Sequence, residues 1–99
     1  MVGSNKMELQ RNHISGLAYQ GMNQPELMRI KSSRGYVSDT WLTYVQARER
    51  GLVLHNAKGH GVHLRTFVKD EKTGNTYPKR FVVFNSDLLK ESLVTILAN

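Results

Sequence analysis

Cysteine is missing from this chain and proline is scarce, with two among 99 residues. Without thiols there are no disulfide staples, no thiol nucleophile and no cysteine zinc site. Long apolar runs are absent too. The longest is Phe81-Val82-Val83-Phe84, far short of the roughly 20 residues a membrane-spanning helix needs. No apolar stretch of signal-peptide length follows Met1-Val2-Gly3-Ser4-Asn5-Lys6, so a reducing, cytoplasmic setting is expected. Acids are also few. Eight Asp and Glu stand against fourteen Lys and Arg, a net charge of +6, which excludes an acidic mimic of DNA. No repeat, low-complexity tract or Pro/Ser linker divides the chain, so one small domain is expected over residues 11–99. Residues 1–10 read as a mobile N-terminal arm, and the polar, glycine-punctuated character continues to about residue 22.

The basic excess is concentrated. Between Arg29 and Arg80 eleven basic residues face four acids, whereas the two flanks together carry three basic residues against four acids. A positive middle flanked by near-neutral ends favours a polyanion-binding surface.

The local signals place this charge on elements. Asn23-Gln24-Pro25-Glu26 opens a helix with a polar cap, a first-turn proline and an acid at the positive end of the dipole; Gly35 closes it. Leu42-Thr43-Tyr44-Val45-Gln46-Ala47 has the spacing of a capping box, Thr43 with Gln46, inside a hydrophobic staple, Leu42 with Ala47. A short helix from Tyr44 to about Arg50 follows, with Gly51 after its end. Leu52-Val53-Leu54 is a short strand. Val62 to Lys69 alternates, which reads as a half-buried strand, and Tyr77 to Phe84 is its hairpin partner across Asp70–Asn75. Asn85 or Ser86 then caps a last helix with Leu89, Leu93, Ile96 and Leu97 on one stripe. The architecture is α+β: a small antiparallel sheet built on this hairpin, with short helices packed on one face.

One face of the first hairpin strand carries His63, Arg65, Phe67 and Lys69. Cations interleaved with a ring suit unpaired nucleic acid, because phosphates need positive charge and unstacked bases need flat apolar surfaces. Arg34, Tyr36, Trp41, Arg80 and Phe81 extend this surface, although Trp41 and Phe84 suit the core of so short a chain better. Lys79 on the hairpin and Lys58 in Lys58-Gly59-His60-Gly61 add positive charge. That loop reads equally as a phosphate-approaching backbone or as a plain glycine turn. His55, His60 and His63 have no HExxH or cysteine partner, so neither metal nor cofactor is expected. No nucleophile elbow, general-base constellation or carboxylate cluster appears, so catalysis is not expected either.

Taken in order, the residues from Arg11-Asn12-His13-Ile14-Ser15-Gly16 through Leu17-Ala18-Tyr19-Gln20-Gly21-Met22-Asn23 resemble the opening of the N-terminal domain of ArdC-type antirestriction proteins and related plasmid primases. Trp41-Leu42-Thr43-Tyr44-Val45-Gln46-Ala47 with Gly51, then Lys58-Gly59 with Gly61, then Val83-Phe84-Asn85 continue the pattern to about Asp87. The W-x-T-x-x-Q-A block is its most specific part. The resemblance implies a domain that binds single-stranded DNA with little sequence preference, in a plasmid- or phage-borne protein of the bacterial cytoplasm. Larger members carry an HExxH-containing metalloprotease-like domain that this sequence lacks, so strand binding is expected rather than antirestriction as such.

The expected phosphate contacts are Arg34, Lys58, Arg65, Lys69, Lys79 and Arg80, with His63 beside them. The expected base platforms are Phe67 first and, after it, Tyr36, Tyr44 or Phe81. The alternative is an adaptor whose basic face docks on an acidic partner in replication, transfer or restriction.

Overall fold

The computed structural model describes residues 8–90. Along them run β1 (Arg11–Asn12), α1 (Asn23–Arg34), β2 (Thr40–Leu42), α2 (Tyr44–Glu49), β3 (Val53–Leu54), β4 (Val62–Lys69), β5 (Thr76–Asn85) and β6 (Leu89–Lys90). The fold is α+β. A curled four-stranded sheet has the order β1-β2-β5-β4, and β3 pairs with β6 in a separate antiparallel ribbon.

The main sheet is mixed, not purely antiparallel, because β1 lies parallel to β2 with Arg11 opposite Thr40 and Asn12 opposite Trp41. A two-residue strand is too short to show a period, and side-chain hydrogen bonds hold it instead. Gln10 is buried, although the sequence places it in the mobile arm. Its amide oxygen accepts from the Trp41 indole Nε1 at 2.8 Å, and its amide nitrogen donates to the Asp39 carboxylate at 2.8 Å. Gln24 Nε2 donates to the Gln10 carbonyl at 3.1 Å. An indole N–H left without an acceptor in that setting costs about 1–3 kcal/mol.

The core forms where alternation puts apolar residues on one side. Trp41 and Val83, from paired strands, meet Val62 and Leu64 of β4 and Leu27 and Ile30 of α1. Leu42, next to Trp41 on β2, points the other way; it is fully buried, as is Ala47 of α2. The capping box is present in full. Gln46 N donates to Thr43 Oγ1 at 3.0 Å, and Thr43 N donates to Gln46 Oε1 at 3.0 Å. Gly51 ends α2 in the left-handed region at φ 68°. There its N–H donates to the Arg48 carbonyl and that of Leu52 to the Ala47 carbonyl, a Schellman closure.

Two sequence expectations give way here. Asn23 does not cap α1; Met22 holds that position without a side-chain bond, and the Asn23 amide is committed to β4. No α-helix follows the expected Asn85 or Ser86 cap among the described residues. Asn85 Oδ1 accepts from Asp87 N at 2.8 Å over a single 3-10 turn, Ser86–Leu88, and Leu89 then pairs with Leu54. Pairing with β3 makes Leu89 and Lys90 extended, not helical. Leu93, Ile96 and Leu97 lie outside the described residues. Among those described, no helix is long and apolar enough to cross a membrane.

Candidate nucleic-acid interface

The β4–β5 hairpin has two halves with different surroundings. At its base Val62, Leu64 and Val83 are buried, while every residue from 71 to 80 is exposed. The outer half therefore extends past the core. In register, His63 faces Val82, Arg65 faces Arg80, Phe67 faces Pro78 and Lys69 faces Thr76. Directly opposed residues of an antiparallel pair share a face, so one side of the ribbon carries His63, Arg65, Arg80, Phe67 and Lys69. Pro78 is tolerated because this part of β5 pairs only with β4, β2 reaching just Phe84 and Asn85.

Two features of this face serve no evident folding purpose. Like charges directly across a ladder are destabilising, yet Arg65 and Arg80 stand opposite each other with no carboxylate partner among the described residues. Phe67 is 70% exposed. Lys79 sits on the reverse side, opposite Thr66, so it does not add to the Arg80 cluster.

Beside the hairpin edge lies an open groove of about 1070 Å³. Its far wall is the segment from Ala18 to Glu26, and residues from both hairpin faces, among them Leu64, Arg65, Phe67, Arg80 and Phe81, line the near side. The two walls are tied at one end. Asn23 Nδ2 donates to the Arg65 carbonyl at 2.7 Å and the Arg65 N–H donates to Asn23 Oδ1 at 3.3 Å. This amide takes up backbone groups that the edge strand would otherwise leave open. Tyr19 also lines the groove while anchored from behind. Its hydroxyl donates to the Trp41 carbonyl at 3.2 Å and accepts from Asn12 Nδ2 at 3.1 Å. Burial pushes the Tyr19 hydroxyl above its ordinary range, against the opposing hydrogen bond from Asn12.

Arg34 and Lys58 fall elsewhere. Arg34 Nη1 donates to the His60 carbonyl at 2.9 Å and so braces the loop that carries Lys58. Asn23 and Arg34 bracket α1, and eleven residues at 1.5 Å rise put them roughly 16 Å apart. The loop is therefore a second basic point along the β4 edge, outside the groove. Gly61 owes its identity to packing, since a Cβ there would lie 2.5 Å from Val82 Cγ1 and 3.3 Å from the Phe84 ring.

The expected aromatic platforms separate as well. Tyr36 packs edge-on against Trp41, centroids 5.8 Å apart, and its ring belongs to the core rather than to an open surface. Phe81 is half-buried, joining core to groove. Tyr44 is exposed on α2 but lies beside a small cavity with Arg48 and Leu52, not in the groove. Sequence reasoning did not find Tyr19, Met22, Asn23 and Glu26 as groove residues. Asn23 and Glu26 were visible only as a helix opening and Tyr19 and Met22 only within the family resemblance, and tertiary contact alone turns the stretch into a wall.

The W-x-T-x-x-Q-A block proves architectural. Trp41 fills the core, Thr43 and Gln46 cap α2, and Gln46 Oε1 also accepts from Asn12 Nδ2 at 2.9 Å. A family model described as the N-terminal domain of anti-restriction factor ArdC matches residues 2–90. The crystal structure of the antirestriction ArdC protein from the R388 plasmid, metal-free, superposes with a TM-score of 0.69 at 31% identity. That match covers 84% of this chain but only 32% of the plasmid protein. The Mn(II)-bound structure of the same protein gives a TM-score of 0.69 at 31% identity, over 82% of this chain and 34% of that one. No curated protein matches.

Proposed function

We propose, from the premise that this chain belongs to the family of the N-terminal domain of the anti-restriction factor ArdC, that it is a sequence-tolerant single-stranded-DNA-binding module of an antirestriction-related plasmid or phage protein. It works by binding, not by catalysis. The observation that carries this reading is the Arg65–Arg80 pair, without a carboxylate partner among the described residues, on the same hairpin face as the exposed Phe67, all three lining the groove. Two arginines directly opposite each other on one face of the hairpin offer guanidiniums to phosphate oxygens, which each can meet in bidentate fashion. Phe67 supplies a ring on which any base stacks. Lys69, His63 and, further along the β4 edge, Lys58 and Arg34 extend the positive potential.

Fluorescence anisotropy with a labelled single strand across a salt series tests the reading. Engagement of about four to six phosphates gives a slope of log affinity against log salt of roughly −3 to −4. Arg80→Ala should reduce that slope by about 0.7, one single-strand phosphate contact. A slope near zero, or tighter binding to duplex or RNA of equal length, overturns it. Failure to bind any nucleic acid returns weight to an acidic protein partner in replication, transfer or restriction.

A further inference from the structure

We propose that Glu26 reads the edge of an unpaired base lodged in the groove, favouring one that presents an exocyclic amino group, such as cytosine, over thymine. The inference rests on the single-strand reading above and extends it from backbone to base.

The lining of the groove suits a base as well as a backbone. Leu64 is a buried apolar floor, and the rings of Tyr19, Phe67 and Phe81 come from both walls. Glu26 is the one acid among the lining residues, in the same groove as Arg65 and Arg80. Its ion pair with Arg29 offsets the charge, so it does not bar phosphate from the groove, yet a fixed hydrogen-bond acceptor adds nothing to phosphate binding.

The carboxylate is also held ready to accept. Arg29 Nη2 donates to Glu26 Oε2 at 2.8 Å and Arg29 Nε donates to Oε1 at 3.2 Å. A carboxylate offers about four lone-pair sites, so each oxygen keeps capacity for a ligand. The Glu26 side chain is 43% exposed, open to such a ligand. The hydrogen bond from Arg29 holds the Glu26 carboxyl below its usual range, so at neutral pH it is ionised and accepts only. Cytosine N4 donates to such an acceptor. Thymine presents the O4 acceptor at the corresponding position, and two acceptors repel. An acid in the first turn of α1 also favours the helix dipole, but that role cannot distinguish one base from another.

Binding of the full chain to dC and dT homopolymers of equal length, at one salt concentration, tests the inference. Wild type should prefer dC by about fivefold or more, near the lower end of what a good base contact gives. Glu26→Gln, whose amide both donates and accepts, should equalise the two while total affinity holds or rises. Equal binding of dC and dT by wild type, with normal salt dependence, overturns base reading and leaves strand binding standing. A preference that survives Glu26→Gln removes Glu26 from the role. No binding to either polymer removes the single-strand reading and this inference with it.

Discussion

At the scale of single residues, Phe67 and Trp41 show how differently two aromatic side chains of one short chain are used. Trp41 is fully buried and bonded to Gln10, so it contributes stability; Phe67 is 70% exposed and contributes little. Phe67→Ala should therefore leave the urea midpoint nearly unchanged while weakening single-strand binding about 5- to 150-fold, the equivalent of one stack at about 1–3 kcal/mol. Unchanged affinity would take Phe67 out of the site. The exposure of Phe67 was legible from its neighbours, since a ring alternating with Arg65 and Lys69 cannot face a core. The burial of Tyr36 was not legible, because its partner Trp41 reaches it only through the turn after α1.

Among elements, α2 was the most readable and β1 the least. A capping box and a staple are short-range devices whose partners lie within six residues, so spacing alone reveals them. Thr43→Ala should lower stability by about 1 kcal/mol, read as a reduced urea midpoint, because the Gln46 N–H loses its acceptor. Val45→Ala, on the exposed side of the same helix, should stay within about 0.5 kcal/mol of wild type. Equal effects from the two would mean that the cap contributes nothing. The hairpin was equally legible through its alternation, and with it the grouping of His63, Arg65, Phe67 and Lys69. Alternation also puts Lys79 and Arg80 on opposite faces, a consequence that counting charges overlooks. β1 and β6 are two residues each, and their pairing depends on partners 29 to 37 positions away.

For the molecule as a whole, a polar seam joins the N-terminal segment to the sheet, and its Asp39 carboxyl should tie stability to pH. Burial pushes the Asp39 carboxyl up, but hydrogen bonds from Lys31 and Gln10 and the Lys31 charge outweigh it, leaving it below the usual carboxylate range. A carboxyl depressed by folding stabilises the native state above its unfolded value, near 4, and loses that contribution as pH falls through the folded value. The urea midpoint of wild type should thus drop between neutral pH and about pH 3, and Asp39→Asn should flatten part of that drop. An identical acid response in the variant would show that the seam carries no linkage. Composition determined the sign of the charge and the absence of thiol chemistry, and local periodicity and capping signals determined the α+β class, because these follow from totals and short-range patterns. Only the tertiary structure decided that residues 18–26 form a groove wall, that β1 runs parallel to β2 and that Glu26 shares a groove with Arg65 and Arg80. Those contacts join positions dozens of residues apart, and their geometry is set by packing around Trp41 and by the Asn23 amide, which no local pattern encodes.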